Sequence, residues 1–320
     1  MSNHDSAPDF AIAVAGLRKT YGTHHAVRGI DLTVRRGEVF ALLGPNGAGK
    51  TTTVEILEGH RERTNGDVQV LGHDPAKHER AFKERIGVVL QSTGIDRYLT
   101  VGEVVDLFRG YYPHPRPRDE VLGLVGLLDQ RDERVRRLSG GQQRRLDVAI
   151  GLAGDPELLF LDEPTTGFDP AARRQAWEMI RNLRTTGTTV FLTTHYLDEA
   201  EQLADRVAII ADGRIIAEGS PQSLAAGHAS TVIQFRVPDG LGAPPVPAPV
   251  PVEVREDGRA RIETTEPTRV LLALTRWATD AGLELPDLTV SRPTLEDIYL
   301  HLVDAAEAAD PGAPVVGAAQ

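Results

Sequence analysis

Hydrophobic and polar positions alternate over about residues 10–220, where short apolar runs are separated by amphipathic stretches. The apolar runs predict strands at residues 10–17, 30–34, 39–43, 68–71, 86–90, 158–161, 190–193, 207–211 and 214–217. Amphipathic stretches at residues 51–58, 170–184 and 196–204 predict helices. This pattern predicts an α/β fold with a mostly parallel core sheet. The strands before residue 40 and after residue 206 are predicted to add an antiparallel β layer.

Residues 101–153 interrupt the alternation, because amphipathic stretches follow one another there without an intervening strand. Helices are predicted at residues 101–111, 118–128 and 141–152, and prolines at 113, 115 and 117 separate the first two. This segment is therefore predicted to be a helical subdomain within the first domain.

The pattern changes again near residue 228, which indicates a boundary between two domains. Beyond it we predict a strand at 232–237, a proline-rich extended segment at 243–251, a hairpin at 252–264, a helix at 268–279, a strand at 288–291 and a helix at 294–303. The predicted domains are thus residues 1–228, a small C-terminal α+β domain at 229–304, and a disordered tail at 305–320.

Composition narrows the possible partners of the chain. The net charge of −11 over 320 residues argues against nucleic acid, which is usually bound by a basic face. No apolar run of 18 residues occurs, and the polar start of the chain lacks the apolar core of a signal peptide. We therefore expect a cytoplasmic protein that cannot cross a membrane by itself.

One glycine-rich segment has the spacing of a phosphate-binding loop. Residues 44–52 fit the pattern G-x-x-x-x-G-K-[ST] between a predicted strand and a predicted helix, the context that this motif requires. Backbone N–H groups of such a loop point at phosphates, with Lys50 as a point charge and Thr51 as a Mg²⁺ ligand. The alternative is a glycine-rich turn that arose by chance. The predicted ATP-binding residues here are Gly44, Pro45, Asn46, Gly47, Ala48, Gly49, Lys50, Thr51 and Thr52.

Two adjacent carboxylates follow the apolar strand at 158–161. Asp162 is predicted to hold Mg²⁺, because a magnesium nucleotide requires a carboxylate at such a strand end. Neighbouring side chains on a strand point to opposite faces, so the loop must begin at Glu163 if both carboxylates serve one site. An ordinary acidic strand terminus is the competing interpretation.

A second motif, Leu138-Ser139-Gly140-Gly141-Gln142, is the signature sequence of ABC ATPases. Together with the phosphate loop it identifies a resemblance to the ATP-binding subunit of ABC transporters over roughly residues 8–225. The resemblance implies a P-loop ABC ATPase fold and a homodimer that holds two ATP molecules between its subunits. Ser139, Gly141 and Gln142 would then meet the nucleotide held by the second copy.

The resemblance also implies roles for single residues. Glu163 matches the general base, His195 the switch histidine and Gln91 the loop residue that contacts Mg²⁺ and the attacking water. Tyr21 matches the aromatic residue that stacks on adenine, and Asp169 belongs to the D-loop, where Phe168 replaces the usual leucine. Taken alone, Gln91 and Tyr21 also fit ordinary loop positions, and His195 also fits a structural role.

Residues 291–300, Ser-Arg-Pro-Thr-Leu-Glu-Asp-Ile-Tyr-Leu, resemble the extension of drug-exporter ATPases of the daunorubicin-resistance type. They also fit a plain terminal helix of the accessory domain. The resemblance implies a subunit at the inner face of the cell membrane that powers export through a separate transmembrane permease. A soluble ABC ATPase of translation or regulation, a DNA-repair ATPase and the ATPase of an importer are the alternatives. The first two fit poorly, because the chain has one motif set and no long coiled coil.

Overall fold

The structure, a computed structural model, describes residues 10–89, 94–227, 230–237, 244, 246, 250–255, 257–291, 295 and 299. It divides into two compact units, one that ends at Pro221 and one that begins at Gln222. The domain bounds inferred from the sequence stay predictions. The prolines at 243–251, the helix at 294–303 and the tail fall largely or wholly outside the described residues.

A six-stranded sheet forms the centre of the first unit, in the order β5-β6-β7-β3-β8-β9. All neighbouring pairs are parallel except β8 with β9, so the prediction of a mostly parallel core sheet is confirmed. Its strands are β3 (Val39–Leu43), β5 (Ile86–Val89), β6 (Leu158–Asp162), β7 (Thr189–Thr194), β8 (Arg206–Ala211) and β9 (Arg214–Gly219).

The strands after residue 206 were assigned to the wrong sheet by the sequence pattern. Strand β8 is parallel to β3 within the core sheet, and only its hairpin partner β9 runs antiparallel. The separate antiparallel sheet has the order β2-β1-β4 and consists of β1 (Phe10–Tyr21), β2 (His24–Arg35) and β4 (Asn65–Val70). The physical reason is burial, because residues 207–210 of β8 are fully covered, as a central strand requires.

Helices pack around the core sheet and follow the predicted order. The predicted ones are α1 (Lys50–Leu57), α6 (Pro170–Thr185) and α7 (Leu197–Leu203), and the sequence did not predict the short helix α2 (Arg80–Lys83). The predicted helical subdomain is present as α3 (Val101–Arg109), α4 (Arg118–Leu124) and α5 (Gly140–Leu152). Helix α4 ends four residues earlier than predicted, and a separate 3₁₀ turn, Leu128–Gln130, follows it.

The second unit is a small α+β structure. After α8 (Pro221–Gly227), its sheet has the order β11-β12-β10-β13, all antiparallel. The strands are β10 (Thr231–Arg236), β11 (Val252–Val254), β12 (Arg259–Thr264) and β13 (Thr289–Ser291). One face packs on helix α9 (Pro267–Asp280) through Ile233, Phe235, Ile262, Val270 and Leu274. The predicted α+β class of this unit is confirmed.

Candidate nucleotide-binding site

The carboxyl ends of three core strands lie side by side at one edge of the sheet. Leu43 at the end of β3 is opposite Thr194 of β7, and Asp162 at the end of β6 is opposite Thr193. The loops that follow these strands therefore begin next to one another. In α/β sheets, this edge is where ligands bind.

The loop between β3 and α1 requires glycine at two positions. A Cβ atom on Gly44 would lie 2.3 Å from the backbone oxygen of Ile210, and one on Gly49 would lie 2.5 Å from that of Ala26. Gly49 also has φ 103°, which side-chain-bearing residues rarely adopt. These close approaches hold the ends of the loop against β8 and β2, while Pro45, Asn46 and Gly47 at its tip are exposed.

Helix α1 begins at Lys50 directly after this loop, and among the described residues no side chain caps its N-terminus. Its first-turn N–H groups and dipole therefore favour an anion at the loop. Ala48 is buried and donates its N–H to the Pro45 oxygen at 3.2 Å. Thr51 is exposed and Thr52 half-buried in the first turn of the helix.

The Lys50 ammonium lies inside this loop. Its Nζ donates to the carbonyl oxygens of Gly44 at 2.7 Å and Pro45 at 3.2 Å, and it lies 3.8 Å from Glu163 Oε1. Burial lowers the pKa of Lys50, while the charges of Glu163 and Asp162 raise it. The loop lysine and the carboxylate at the end of β6, distant in sequence, therefore belong to one site.

Strand β6 ends at Asp162, and Glu163 leaves it with φ 45°. This left-handed conformation is unusual for a residue with a side chain. The sequence argument required a loop to begin at Glu163, and the structure agrees. The Thr193 hydroxyl donates to Asp162 Oδ1 and holds that carboxylate at the strand end. The Glu163 carboxylate accepts a hydrogen bond from the Thr166 hydroxyl at 3.2 Å.

The His195 imidazole also lies close to the Glu163 carboxylate. Its Nδ1 is 3.2 Å from Glu163 Oε1, but this buried nitrogen has no well-aligned hydrogen bond among the described residues. The imidazole packs on the Tyr196 ring with centroids 4.0 Å apart, and the Arg173 guanidinium lies 4.6 Å from that ring's centroid. His195 thus presents an unsatisfied polar atom at the site, as expected where a ligand completes the contacts.

The signature residues form the start of α5. The Ser139 side chain accepts from Gln142 N at 3.3 Å, and Gln142 Oε1 accepts from Ser139 N at 2.8 Å, which is a capping box. Within the described residues, no hydrogen bond or ion pair joins this turn to the phosphate loop. Gly140 and Glu163 both line a cleft of about 630 Å³ that also touches Arg144, Asp147 and Phe168.

The other predicted residues lie at different places. Tyr21 is the last residue of β1, about a third exposed, with the Lys19 ammonium and the Arg61 guanidinium 4.9 and 5.4 Å from its ring centroid. Asp169 caps α6 through bonds from Ala171 N and Ala172 N. Gln91 lies outside the described residues, so its predicted role has no structural counterpart here.

Comparison with known proteins identifies the family. The family model for ABC transporters matches residues 27–166, and a model for the C-terminal domain of ABC transporter domain-containing protein-like chains matches residues 231–294. The daunorubicin resistance ATP-binding protein DrrA3 of Streptomyces coeruleorubidus is 41% identical over 304 residues, which are 92% of this chain and 96% of that protein. The chain belongs to the ABC transporter ATP-binding proteins.

Two further comparisons agree with this family. The Nod factor export ATP-binding protein I of Ralstonia nicotianae is 40% identical over 299 residues, 91% of this chain and 93% of that protein. A solved structure, the dimeric post-hydrolysis state of the ATP-binding cassette MJ0796 bound to ADP and Pi, has a TM-score of 0.58 at 24% identity, which indicates the same fold. It covers 65% of this chain and 98% of that one. The chain is therefore an ABC ATPase that binds and hydrolyses ATP.

The residues at the sheet edge fit this nucleotide. The glycine loop cannot carry side chains at its close approaches, α1 is uncapped, and His195 Nδ1 lacks an aligned partner among the described residues. The oxygens of Thr51 and Asp162 are the hard ligands that Mg²⁺ prefers. Among the helices that the structure describes, none is both long and apolar enough to cross a bilayer.

Three residues of this ABC ATPase site were missed by the sequence reasoning. The Thr193 hydroxyl donates to the Asp162 carboxylate, and the Arg144 guanidinium donates to the carbonyl oxygen of Asp162, directly before Glu163. The Asp162 charge also raises the pKa of the buried Glu58 carboxyl. Burial raises the pKa of Glu58 to about 8, and the charges of Asp162 and Glu55 add to the rise. Of these three residues, only Glu58 had a signal in the sequence, because it is a charged residue at an apolar position of a short predicted helix. The other two depend on contacts between distant segments.

Proposed function

We propose that this ABC ATPase powers the export of a drug-like or lipophilic substrate through a separate membrane permease. The relatives named for daunorubicin resistance and for Nod factor export support this proposal, because their similarity extends over more than 90% of the chain. The C-terminal domain, about residues 229–304, is part of that similarity. In this proposal the subunit is cytoplasmic, lies at the inner face of the membrane through the permease, and does not bind nucleic acid.

The observation that carries the proposed mechanism is the convergence of Lys50, Glu163 and His195 at one sheet edge. Lys50 binds the β- and γ-phosphates as a buried cation within its loop. Glu163 accepts the proton of the attacking water as general base. His195 donates to the γ-phosphate, and Gln91 contacts the attacking water.

Thr51, Asp162 and Gln91 are the proposed Mg²⁺ ligands. Thr51 stands in the first turn of α1, and Asp162 is oriented by the Thr193 hydroxyl. When bound, Mg²⁺ would supply positive charge that offsets the negative charge developing on the phosphates in phosphoryl transfer. Tyr21 stacks on adenine, and Lys19 and Arg61 beside its ring must adjust to the base.

A second copy of the chain completes each site. Ser139, Gly141 and Gln142 lie at the N-terminus of a 13-residue helix, where Ser139 and Gln142 form the capping box, and the helix dipole favours the γ-phosphate of the opposing subunit. Asp169 caps the first turn of α6 and orders the D-loop for contact between the subunits. Closure of the homodimer is favoured by ATP because the nucleotide contacts both faces only in the closed state.

The test is Glu163→Gln in the purified full chain. The amide cannot accept a proton, so we expect ATP hydrolysis to fall by ~10²–10⁴-fold while ATP binding persists. The variant should elute as an ATP-dependent dimer in size-exclusion chromatography. Glu201→Gln is the matched control, since Glu201 is an exposed residue of α7. Hydrolysis by Glu163→Gln within about threefold of wild type would refute the proposed role of this residue.

The direction of transport is tested in cells. The chain is co-expressed with a permease recovered with it from solubilised membranes, and the cellular retention of a fluorescent lipophilic drug is measured. We expect lower retention with the wild-type pair than with the Glu163→Gln pair. Higher retention with the wild-type pair would indicate import and overturn the proposal of export.

A further inference from the structure

Arg144 connects the signature helix to the backbone on both sides of Glu163. It lies in the second turn of α5, three residues after Gly141. Its Nη2 donates to the carbonyl oxygen of Asp162 at 3.0 Å, and its Nε lies 3.4 Å from that of Pro164. One guanidinium therefore holds the residue before and the residue after the proposed general base.

The turn that Arg144 holds is strained and needs support. Glu163 has φ 45°, a conformation that is unfavourable for a residue with a side chain and persists only when its surroundings determine it. The Glu163 N–H donates to two oxygens of Thr193, the carbonyl oxygen at 3.2 Å and the hydroxyl Oγ1 at 3.1 Å. The Glu163 carbonyl oxygen accepts from Thr166 N at 3.3 Å. The carbonyls on either side are those that Arg144 binds. Without Arg144, these two carbonyls lose their charged donor.

Arg144 is also an unusually placed cation. Its side chain is 11% exposed and lies 3.7 Å from Asp147 Oδ2 on the same helix. Burial lowers the pKa of Arg144, although the Asp147 and Asp162 charges raise it. An arginine that served only to neutralise Asp147 could do so through one nitrogen. The Arg144 guanidinium does more than this, because its Nη2 and Nε contact the carbonyl oxygens of Asp162 and Pro164.

Resting on the proposed role of Glu163, we propose that Arg144 is the positioning residue of the general base. It holds the left-handed turn so that the Glu163 carboxylate stands between Lys50 and His195. Because α5 also begins at the signature turn, Arg144 joins the surface that meets the opposing nucleotide to the carboxylate that acts on the chain's own nucleotide. A shift of the signature helix is thereby transmitted to Glu163.

The decisive variant is Arg144→Met, which keeps the apolar stem and removes all donors. A misplacement of about 1 Å at a catalytic group can cost ~10²-fold, so we expect kcat for ATP hydrolysis to fall by about that factor. KM for ATP should change by less than about threefold, because the Lys50 ammonium is held by the carbonyl oxygens of Gly44 and Pro45, which remain in the variant. ATP should still drive dimer formation, and the ATP-bound dimer should accumulate as it does in Glu163→Gln.

The matched control is Arg145→Met on the same helix. Arg145 is also partly buried, and its Nη1 donates to the carbonyl oxygens of Gly126 at 3.0 Å and Val125 at 3.4 Å, within the helical subdomain. We expect this variant to keep kcat within about threefold of wild type, whatever its loss of stability. A merely structural role of Arg144 would instead make the two variants alike in kcat.

Arg144→Lys separates charge from geometry and keeps the test decisive if Arg144→Met fails to fold. Lysine retains a cation opposite Asp147 but cannot bind both carbonyls from a fixed fork. We expect a loss of kcat of about tenfold with KM unchanged. Wild-type kcat in Arg144→Lys, or equal losses in Arg144→Met and Arg145→Met, would overturn the proposal. Activity in Glu163→Gln would instead refute the role of the base itself, so the two failures are distinguishable.

Discussion

Glu58 provides a prediction whose size follows from the structure. Its side chain is almost fully buried at the C-terminus of α1, and His60 Nδ1 lies 3.1 Å from Oε2. Burial, with the charges of Asp162 and Glu55, raises the pKa of Glu58 from 4.5 to about 8. The folded chain therefore holds a proton on Glu58 at pH values where the unfolded chain has released it. Glu58→Gln replaces the carboxyl with a neutral group of similar shape.

The sign of the effect follows from this linkage. The contribution of Glu58 to the free energy of unfolding is fully present below about pH 4.5 and is lost as the pH rises through about 8. Each pKa unit corresponds to about 1.4 kcal/mol, so the whole difference is about 5 kcal/mol. Between pH 6 and pH 9, wild type should lose about 3 kcal/mol relative to Glu58→Gln.

The assay is urea unfolding at pH 6, 7, 8 and 9 without nucleotide or Mg²⁺. The chain has two tryptophans. In a Trp277→Phe background the fluorescence of Trp177, in helix α6 of the same unit as Glu58, reports unfolding of that unit. Glu84→Gln is the control, because Glu84 pairs with the exposed Arg80 at 2.7 Å, and this pair should contribute little at any pH.

Two results would refute the reasoning. One is a free energy of unfolding for Glu58→Gln that falls with pH as steeply as that of wild type. The other is a constant destabilisation at every pH, which would show that Glu58 acts through its hydrogen bonds and not through its proton.

Three further predictions concern the shared site, the C-terminal domain and the phosphate loop. Mixing Lys50→Ala with Ser139→Arg subunits should restore part of the ATPase activity, since one heterodimer site is intact; a chain whose activity ignores Ser139→Arg has no shared site. A chain that ends at Gly227 should bind Mg-ATP, measured by calorimetry, but bind poorly to membranes that contain the permease; lost ATP binding would place the extension in the catalytic fold. Gly44→Ala should destabilise the first unit by about 1–3 kcal/mol in thermal unfolding, because its Cβ would meet a backbone oxygen; an unchanged melting temperature would contradict this.

Local chemistry was enough to predict several parts of the site. The glycines of the phosphate loop can be recognised from the sequence for a physical reason. Gly44 and Gly49 each lie too close to a backbone oxygen for a Cβ atom, and Gly49 also has a φ that favours glycine. The signature turn was recognised by its resemblance to a known family, and the structure adds that Ser139 and Gln142 form a capping box there. The turn between β8 and β9 also has a local basis, because Asp212 and Gly213 both have positive φ.

Which strands belong to which of the two sheets is determined by the tertiary structure. An apolar run of five or six residues has the same pattern in either sheet, and period and length do not reveal its neighbours. Strand β8 joined the core sheet beside β3, although the sequence suggested the antiparallel layer. Burial on both faces decided this, and burial is a property of the assembled core.

By itself, the sequence determined the α/β class through its hydrophobic pattern and the nucleotide chemistry through short motifs of fewer than ten residues. The roles of the single site residues stay predictions. The tertiary structure decided how these residues are held. Arg144 and Thr193 bind groups 18 to 31 residues away along the chain, and no local pattern shows that they make these contacts. Both residues contact the backbone at or beside Glu163. Hydrogen bonds between residues far apart in sequence maintain the geometry of this site, so that geometry can be described only from the folded structure.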